Sequence, residues 1–574
     1  MGRTTTIWTV GVLFGLASPA VAAPGAGTFD DPVVVDAFPY VIADTTEASP
    51  SDEVDFYSCS PNTDETGPER VFAFSLAQAA RVTAWVEGDG GSVDVDVHLL
   101  STADLAGGVA TDCVARGNVI AEAEMSGGDH FVVVDSYDGE AQAGPFVLHL
   151  EAIGDFWIER TMAEGVTWRA RRFEDLYGSQ VVHELTVDTQ QPDVEIRAIA
   201  SSGCQTVGAL GAAAGAVAGI NGGYFGSGCA PVSLLKESGS LLGTNGVSRG
   251  AFGLTTDMTP MVEVVAAGQD WPAAHEAHGG GPTLVVGGVA SSGSAAWAAE
   301  GFSSSGFIGN NPRTFAGFDD QGISHLGTVD GRRSNAAGMS LDELAAFVAS
   351  AEVGLSEGVN LDGGGSTTLW IDGATPNGVV NYPSDDPNQE VATHPGSRPN
   401  SGGLFVFAPE FNHPPRFQTE PVTDAAADSP YSYDADAIDL DPADVVSYAL
   451  LEGPAGMTID GVTGEVSFAP TTASPPSATV TIEAGDDRGA ASEQTYTLTI
   501  EGGLGGGGGA GGAGGADGGG GGQGGAPTGG LAGEDDGSCG CRVAGVTTRS
   551  HGALLLGVTL LGLARRGSRR RREP

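Results

Sequence analysis

Five short motifs in the central part of the chain combine glycine or other turn-forming residues with polar side chains that can bind a substrate. They span residues 221–225, 278–282, 311–314, 330–332 and 360–368. Glycine allows a positive φ and a close approach of a ligand to the backbone, so consecutive N–H groups can form an anion-binding nest. Arg313 and Arg332 lie within these motifs, and their planar guanidinium groups match phosphate oxygens. The motifs therefore predict recognition of an anionic group.

The overall charge narrows the classes of ligand. The 574 residues include 25 basic and 73 acidic side chains, which gives a formal net charge of −48. Such a polyanion is a poor match for nucleic-acid phosphates, so we expect no nucleic-acid partner. Because Lys236 is the one lysine, arginines within turns stand out as anion-binding groups. No nucleotide P-loop is present, and no G-x-S-x-G motif comes with a convincing Ser-His-Asp set.

The order of the motifs resembles the phosphodiester glycosidase family. The matching segments are NGGYF, GGGPTLV, NPRT, DGR, GMSLDELA, NLDGGGSTTLW, VVNYPSD and GGLFVF, and the likeness extends from about Phe156 to Ala408. The resemblance implies hydrolysis of a sugar 1-phosphodiester, of the N-acetylglucosamine 1-phosphodiester type, at the sugar's C–O bond. Free sugar and a phosphomonoester are the implied products. A sugar-phosphate polymer or glycan is the expected substrate, no cofactor is required, and the metal content is unknown.

The resemblance also implies the site residues. Asp362, Asp330 and Asn221 are the candidate catalytic residues. The candidate substrate-binding residues are Arg332, Arg313, Gly363, Gly364, Gly365, Ser366, Asn381 and Arg398. We expect the first two arginines to clamp the phosphodiester, while the glycine amides and the serine hydroxyl receive charge from the leaving phosphate. Asp362 would orient water or stabilise the oxocarbenium-like centre. Asp330 would be a second carboxylate or would orient an arginine.

Two alternatives stay open at this point. An aspartate before a glycine, as at Asp362, is also the pattern of a turn-capping residue. For the whole protein, the alternative is a non-catalytic surface protein whose middle domain binds glycans while the flanking modules mediate adhesion, because a fold does not fix an activity. Turnover of a sugar phosphodiester separates the two functions.

The elements that carry the motifs indicate a multidomain protein. We predict an α/β (α+β) catalytic domain at 156–410, flanked by two antiparallel β-sandwich modules at 23–155 and 411–501. In the catalytic domain, residues 181–187 and 194–199 have strand patterns. Residues 340–350 predict a helix that begins with Ser340 as N-cap and with Glu343 completing a capping box. In the flanking modules, apolar residues alternate with polar ones between Gly- and Asp-rich turns.

Both flanking modules resemble known extracellular modules. The first is similar to β-sandwiches appended to secreted bacterial peptidases and glycosidases, and the second to the cadherin-like, immunoglobulin-like repeats of bacterial surface proteins. Acidic side chains in each offer oxygen ligands for Ca²⁺. These candidates are Asp94, Asp96, Asp135 and Asp138 in the first module and Asp439, Asp441 and Asp486 in the second. A solvated acidic strand face is the alternative for the first set.

The ends of the chain predict export and surface anchoring. Residues 1–22 have the basic start, apolar run and A-x-A site of a signal peptide. Residues 502–537 form a Gly-rich linker, and residues 538–574 combine Cys539 and Cys541 with a short apolar span and an arginine cluster. This tail resembles the sorting tails of myxobacterial surface proteins. That implies a sorting protease, lipid attachment near the two cysteines, and membrane contact through the tail only. A plain tail anchor is the alternative. We expect a protein at the cell surface, anchored to the outer membrane, or extracellular.

Six cysteines in an exported chain favour disulfide bonds. Cys59 is expected to pair with Cys113, and Cys204 with Cys229, because they are neighbours along the sequence. Each bridge would stabilise its domain by about 3 kcal/mol. The two tail cysteines are too close together for an ordinary bridge.

Overall fold

The described part of the chain folds into three consecutive β-rich parts. The computed structural model describes residues 25–47, 49–88, 93–385, 394–409, 411–419, 421–441 and 444–503. The predicted signal peptide, nearly all of the Gly-rich linker and the sorting tail lie outside these residues. Within the described ranges, none of the helices has the length and apolar character needed to span a membrane.

Two sheets make the first module. The five-stranded sheet contains, in spatial order, Val33–Val35, Glu69–Leu76, Gly128–Ser136, Val95–Leu100 and Cys113–Gly117. The four-stranded sheet contains Tyr40–Thr45, Pro145–Gly154, Ala80–Glu87 and Ile120–Met125. Phe56–Tyr57 and Val109–Ala110 form a small parallel pair, and a 3-10 turn spans Glu140–Gln142. The two large sheets share one apolar core, as in a β-sandwich. Their pairings are antiparallel apart from Val33–Val35 with Glu69–Leu76.

The first module buries a row of carboxyl groups. Glu69, Asp135 and Asp96 lie directly opposite one another on three neighbouring strands. Glu65 lies beside Asp96, and the Arg116 guanidinium contacts both Glu65, at 3.5 Å, and Asp96. Burial raises the pKa of all four carboxyl groups. The Arg116 guanidinium opposes this increase at Glu65 and Asp96 but does not cancel it. For Glu65, burial and then the adjacent Asp96 carboxylate raise the pKa to about 9. Glu65 is therefore a neutral acid at pH 7.

Three antiparallel sheets build the middle domain. The largest contains Ile158–Ala163, Val166–Phe173, Gln180–Val187, Ser324–Val329, Arg313–Phe318, Glu357–Asn360, Thr283–Val286 and Val289–Ala290. A second contains Glu195–Gln205, Asn400–Phe407, Ala218–Asn221 and Leu369–Ile371. A third contains Ser240–Gly243, Leu235–Glu237, Glu276–Gly279, Arg249–Leu254 and Pro260–Val265. One apolar cluster takes side chains from all three sheets, including Leu326, Ile220 and Phe252. This shared core fixes how the sheet ends meet.

Helices are short in the described part of the middle domain. They are Val207–Ala214, Ser294–Ala299, Ser305–Ile308 and Leu341–Val348, with 3-10 turns at Ser227–Cys229 and Gly364–Ser366. The α/β (α+β) description is therefore not confirmed. Antiparallel strands can be joined by short turns, so these sheets do not need crossover helices. The predicted strands are present within Gln180–Val187 and Glu195–Gln205.

The helix predicted at 340–350 is present as Leu341–Val348. Ser340 Oγ accepts a hydrogen bond from the Glu343 N–H at 3.3 Å, and Glu343 Oε2 accepts one from the Ser340 N–H at 2.8 Å. This is the predicted capping box, which satisfies two donors at the start of the helix. The apolar face, with Leu344 and Phe347, is buried against the large sheet.

The third module is an immunoglobulin-like sandwich. Its four-stranded sheet contains Asp424–Ala426, Ala491–Glu501, Ser477–Gly485 and Ser447–Glu452. The facing three-stranded sheet contains Tyr431–Asp434, Glu465–Phe468 and Thr458–Ile459, and Arg416–Phe417 pairs with Ala437–Ile438. Apolar side chains from both sheets form a separate core.

Both disulfides expected in the folded part are present. Cys59 pairs with Cys113 in the first module and Cys204 with Cys229 in the middle domain, with Cα–Cα distances of 5.2 and 5.3 Å. The second bridge joins the two sides of the segment that carries Asn221. It therefore restrains the loop on which one of the candidate site residues lies.

The first module packs against the middle domain around Tyr382. Trp85 Nε1 donates a hydrogen bond to the Ala374 carbonyl at 2.9 Å, and the Tyr382 hydroxyl donates one to the Glu122 carboxylate. A further ion pair joins Arg172 Nη1 to Glu124 Oε2 at 2.7 Å. The Tyr382 contact connects the first sandwich to the residue that follows Asn381.

The neutral Glu65 predicts an unusual pH dependence of stability. In the unfolded chain this carboxyl group ionises above about pH 4.5, whereas in the folded chain it keeps its proton until about pH 9. The contribution of this bound proton to the free energy of unfolding is therefore fully present below about pH 4.5 and is lost as the pH rises towards 9. Glu65→Gln cannot ionise, so its melting temperature should rise relative to wild type between pH 5 and pH 8, as measured by calorimetry. Glu47→Gln, at an exposed position, is the control. A difference that does not change with pH would contradict the neutral state of Glu65.

Candidate active site

The five motifs meet where strands of all three sheets end. Asn221, Gly279 and Asn360 each end a strand, Arg313 begins one, and Asp330 directly follows one. Backbone hydrogen bonds join these ends. The Asp362 N–H donates to the Gly222 carbonyl at 3.1 Å, and the Leu361 N–H donates to the Thr314 carbonyl at 2.8 Å. Loops held in this way by a rigid scaffold are common positions for binding and catalytic residues.

The side chain of Asn221 connects three of the motifs. Its Nδ2 donates to the backbone carbonyl of Asp362 at 2.7 Å. Its Oδ1 accepts from Thr314 Oγ1 at 2.8 Å and from the Thr368 N–H at 3.0 Å. The residue is 1% exposed. Asn221 thus holds the backbone at Asp362 in place and lies behind the site rather than at its surface.

Asp362 lies at the start of the glycine turn and has a perturbed carboxyl group. Burial raises the pKa of Asp362 to about 6, while the Ser366 hydroxyl, the Arg398 guanidinium and the Gly363 N–H oppose this increase. The carboxyl group is therefore mostly ionised at pH 7 and is in electrostatic contact with one arginine. Perturbed carboxyl groups of this kind cluster at functional sites.

The glycine turn lets two guanidinium groups approach the backbone. Gly364 has φ +63°, and a Cβ at this position would lie 3.0 Å from Arg332 Nη2. A Cβ at Gly365 would lie 2.2 Å from Arg398 Nη2. Side chains at these two positions would displace the arginines, so the turn requires glycine. The guanidinium groups of Arg332 and Arg398 consequently lie against the same short turn, the one that follows Asp362.

The two arginines are held by different partners. Arg332 is exposed, and its Nη2 donates to Asn311 Oδ1 at 2.9 Å. Arg398 forms a two-pronged ion pair with Asp385, with Nε–Oδ2 and Nη2–Oδ1 distances of 2.6 and 2.9 Å. The Arg398 and Asp385 side chains are 40% and 37% exposed. Both guanidinium groups can therefore reach a ligand in solvent.

The amides of the turn are largely engaged within the protein. The Gly364 N–H donates to the Pro312 carbonyl at 2.9 Å, and the Ser366 N–H donates to the Gly363 carbonyl at 3.3 Å. The Gly363 N–H interacts with the carboxyl group of Asp362. The predicted role of these amides as receivers of phosphate charge stays a prediction, and the guanidinium groups of Arg332 and Arg398 are the more exposed donors.

Arg313 occupies a supporting position. It is 3% exposed, and it donates to three backbone carbonyls: Nε to Met339 at 2.8 Å, and Nη2 to Phe307 at 2.9 Å and to Gly309 at 2.6 Å. Burial lowers the pKa of Arg313 to about 10. These bonds brace the segment that ends at Asn311, the partner of Arg332. The geometry does not bring Arg313 into the phosphate-facing set that the sequence pattern suggested.

Asp330 and Asn381 also lie behind the turn. Asn381 Nδ2 donates to Asp330 Oδ1 at 3.0 Å, and the Tyr382 N–H donates to Asp330 Oδ2 at 3.1 Å. Asn381 Oδ1 accepts from the Leu369 N–H at 2.8 Å. Both residues are at most 1% exposed, and burial raises the pKa of Asp330. They connect the DGR motif to the strand that follows the glycine turn.

Tyr224, Asn360 and Asp385 lie near Asp362 or its arginines and were not assigned a role from the sequence. The Tyr224 hydroxyl donates to the Gly281 carbonyl at 3.1 Å and accepts from Asn360 Nδ2 at 3.0 Å. Burial and then the Asp362 carboxylate raise the pKa of Tyr224, which indicates that the phenol and the carboxylate are close. Asp385 forms the ion pair with Arg398. All three lie inside quoted motifs, so their position beside assigned residues was the available signal.

A cavity of about 740 Å³ lies near the site but does not contain it. Trp85, Trp370, Asn377 and Ser397 are among the residues that line it, and Asp362 is not. Ser397 Oγ lies 3.4 Å from Thr368 Oγ1, so the cavity ends close to the glycine turn. The candidate active site is therefore defined by the contacts around Asp362.

The predicted calcium ligands have mixed surroundings. In the first module, Asp96 pairs with Arg116 and Asp135 accepts from the Tyr57 hydroxyl, while the backbones of Asp94 and Asp138 hydrogen-bond to neighbouring loops. In the third module, Asp439 and Asp486 have carboxylate oxygens within 4.8 Å of each other and of Asp444. Asp441 instead pairs with Arg488 and His413. Ca²⁺ binding by these modules stays a prediction.

Two parts of the chain match known families. Residues 214–397 match the family model described as "Phosphodiester glycosidase", and residues 414–501 match the one described as "Putative Ig domain". No curated protein matches the chain. A phosphodiester glycosidase domain and an immunoglobulin-like domain are thus present.

Several solved structures are similar to parts of the chain. The catalytic domain of zebrafish N-acetylglucosamine-1-phosphodiester alpha-N-acetylglucosaminidase, auto-inhibited by its pro-peptide, is 19% identical, with 44% of this chain and 87% of that chain covered and a TM-score of 0.35. A hypothetical protein from Synechocystis is 16% identical, with coverages of 61% and 81% and a TM-score of 0.38. The pre-peptidase C-terminal domain of a Bacillus anthracis collagenase is 15% identical, with coverages of 21% and 92% and a TM-score of 0.14.

The bonds of Asn221 predict a large effect of its removal. Asn221→Ala would leave the Asp362 carbonyl, the Thr314 hydroxyl and the Thr368 N–H without this buried partner. Each unsatisfied buried group costs about 1–3 kcal/mol, so we expect the free energy of unfolding of the middle domain to fall by at least about 3 kcal/mol. Urea unfolding of the full chain measures it. Gln190→Ala, an exposed position in the same domain, should change it by less than about 0.5 kcal/mol. Equal effects of the two substitutions would show that the Asn221 network carries no special weight.

Proposed function

We propose that the middle domain hydrolyses sugar 1-phosphodiesters, such as an N-acetylglucosamine 1-phosphodiester, to free sugar and a phosphomonoester. The observation that carries the proposal is the arrangement of Arg332 and Arg398 on the glycine turn that begins at Asp362. This places two cations and one carboxylate within reach of a single ligand. The match of residues 214–397 to the phosphodiester glycosidase family supports the same reaction class.

The guanidinium groups would bind the phosphodiester and stabilise the leaving group. The bond between C1 of the sugar and the bridging oxygen breaks, and its electron pair stays on the phosphate oxygen. Arg332 and Arg398 interact more strongly with the phosphate as this negative charge develops, which lowers the barrier. Phosphate is a good leaving group, so the reaction needs less acid catalysis than hydrolysis of an ordinary glycoside.

Asp362 would act on the sugar side of the breaking bond. As a carboxylate it stabilises the positive charge that develops at C1, or it orients the water that adds its hydroxyl group to C1 and releases a proton to solvent. Both roles require the ionised form, which predominates above about pH 6. Asn221, Asp330, Asn381 and Arg313 act as positioning residues, because each is buried and hydrogen-bonded within the protein. Asn221 and Asn381 bind backbone groups on either side of the turn, Asp330 binds Asn381, and Arg313 braces the segment that ends at Asn311.

The location that we propose for this activity is outside the cell. Two disulfides in the folded part are compatible with an oxidising compartment. The predicted signal peptide, Gly-rich linker and sorting tail would tether the enzyme to the cell surface by its C-terminal end. A sugar-phosphate polymer of an envelope or of the surroundings would then be within its reach.

Isotope labelling tests the reaction on the full chain. In H₂¹⁸O, hydrolysis of the N-acetylglucosamine 1-phosphodiester of a simple alcohol should place ¹⁸O in the free sugar, because the C–O bond breaks. Asp362→Asn should lower kcat/KM by about 100-fold or more. Asp372→Asn, at an exposed position of the same domain, should leave it within about twofold of wild type. Label in the phosphomonoester would contradict C–O cleavage. Absence of free sugar from a panel of sugar phosphodiesters would favour the glycan-binding alternative.

The turn geometry predicts a sharp difference between two glycine substitutions. Gly364 and Gly373 have similar φ values of +63° and +67°, so alanine should cost about 1–2 kcal/mol of stability at either position. Only Gly364→Ala puts a methyl group at 3.0 Å from Arg332; a Cβ at Gly373 has no neighbour within 4 Å among the described residues. We expect kcat/KM on the same substrate to fall about 10- to 100-fold in Gly364→Ala and less than about twofold in Gly373→Ala. Equal losses would show that the position of Arg332 is unimportant.

A further inference from the structure

The Asp385 carboxylate and the Arg398 guanidinium lie side by side against Gly365 of the glycine turn. A Cβ added to Gly365 would lie 2.1 Å from Asp385 Oδ1 and 2.2 Å from Arg398 Nη2. The carboxylate and the guanidinium are therefore equally close to the turn. An anion that contacts Arg398 at this turn must also lie near the negative charge of Asp385.

The net charge of the site follows from these pairings. Arg398 is neutralised by Asp385, whereas Arg332 is bonded to the uncharged amide of Asn311. With Asp362 ionised, the four charged groups sum to about zero rather than to two positive charges. A phosphodiester carries one negative charge. A phosphomonoester, whose second pKa is about 6, carries two at neutral pH. The Asp385 carboxylate therefore repels the phosphate group of the phosphomonoester product more strongly than that of the phosphodiester substrate.

We propose that Asp385 is a positioning and selectivity residue, which holds the Arg398 guanidinium against Gly365 and disfavours the doubly charged phosphomonoester relative to the singly charged phosphodiester. The inference rests on the proposed function, since it concerns the product of that reaction. Its chemical consequence is product release. A clamp of two unpaired arginines would bind the more highly charged product more tightly than the substrate, and the Asp385 carboxylate offsets this preference.

The size of the effect is limited by solvent. Both members of the Arg398–Asp385 pair are more than a third exposed, so their electrostatic interactions are screened. Removing one negative charge should strengthen binding of a doubly charged ligand by about tenfold and that of a singly charged ligand by about threefold, because the interaction scales with ligand charge. Any loss of Arg398 orientation affects both ligands similarly. The ratio of the two affinities is therefore the informative quantity.

Competition binding on the full chain tests the proposal with two unreactive probes. Methyl phosphate represents the monoester and dimethyl phosphate the diester, and their dissociation constants are measured at pH 5 and pH 8. In Asp385→Asn we expect the preference for methyl phosphate over dimethyl phosphate to rise about threefold at pH 8. At pH 5, where methyl phosphate is mostly singly charged, the preference should stay at the wild-type value. Asp362 also titrates in this range, so each variant is compared with wild type at the same pH.

Further variants separate charge from structure. Asp385→Glu keeps the charge and should keep the wild-type preference even if Arg398 moves. Glu195→Gln removes a different exposed ion pair of the same domain, that with Arg197, and should change nothing. The inference is overturned if Asp385→Asn changes both affinities equally at pH 8, if its preference changes equally at both pH values, or if wild type binds neither probe. Charge-dependent binding without turnover of any sugar phosphodiester would overturn the proposed reaction and leave this selectivity intact.

Discussion

The candidate active site depends on one buried amide. Asn221 fixes the carbonyl of Asp362 and at the same time binds Thr314 and Thr368, so one side chain sets the relative positions of three strand ends. Because the residue is almost fully buried, water cannot replace these bonds if the strands separate. The Asp362 carboxyl group can therefore be held in a partly desolvated position. Without this restraint the glycine turn would be free to relax away from its two arginines.

The glycines of the turn matter mainly because they let two guanidinium groups approach the backbone, and less because their N–H groups could form an anion-binding nest. Arg332 and Arg398 lie so close to Gly364 and Gly365 that any side chain would push them away. In a chain with a net charge of −48, anion binding needs cations gathered at one point, and a backbone without side chains is one way to gather them. The site itself can then be close to neutral, although the whole molecule carries a large negative charge.

Local patterns predicted much of what the structure contains. The capping box at Ser340, the strands near residues 181–187 and 194–199, and the two disulfides depend on neighbours in sequence or on short period, and all are present. The α/β description was not confirmed because the sheets of the middle domain are antiparallel and need no crossover helices, which one well-patterned helix at residues 340–350 does not reveal. The sequence also gave no sign that Arg313 is buried and bonded to carbonyls whereas Arg332 is exposed. Those fates depend on long-range packing, as does the pairing of Asp385 with Arg398.

The contact between Glu122 and Tyr382 makes the first sandwich more than an appended module. Tyr382 also donates its N–H to Asp330, which is bonded to Asn381. A strand of the sandwich thus supports, through Tyr382, the buried pair of Asp330 and Asn381 that lies behind the glycine turn. Exchange of this module for an unrelated one would remove that support unless the new module also offered an acceptor to the Tyr382 hydroxyl.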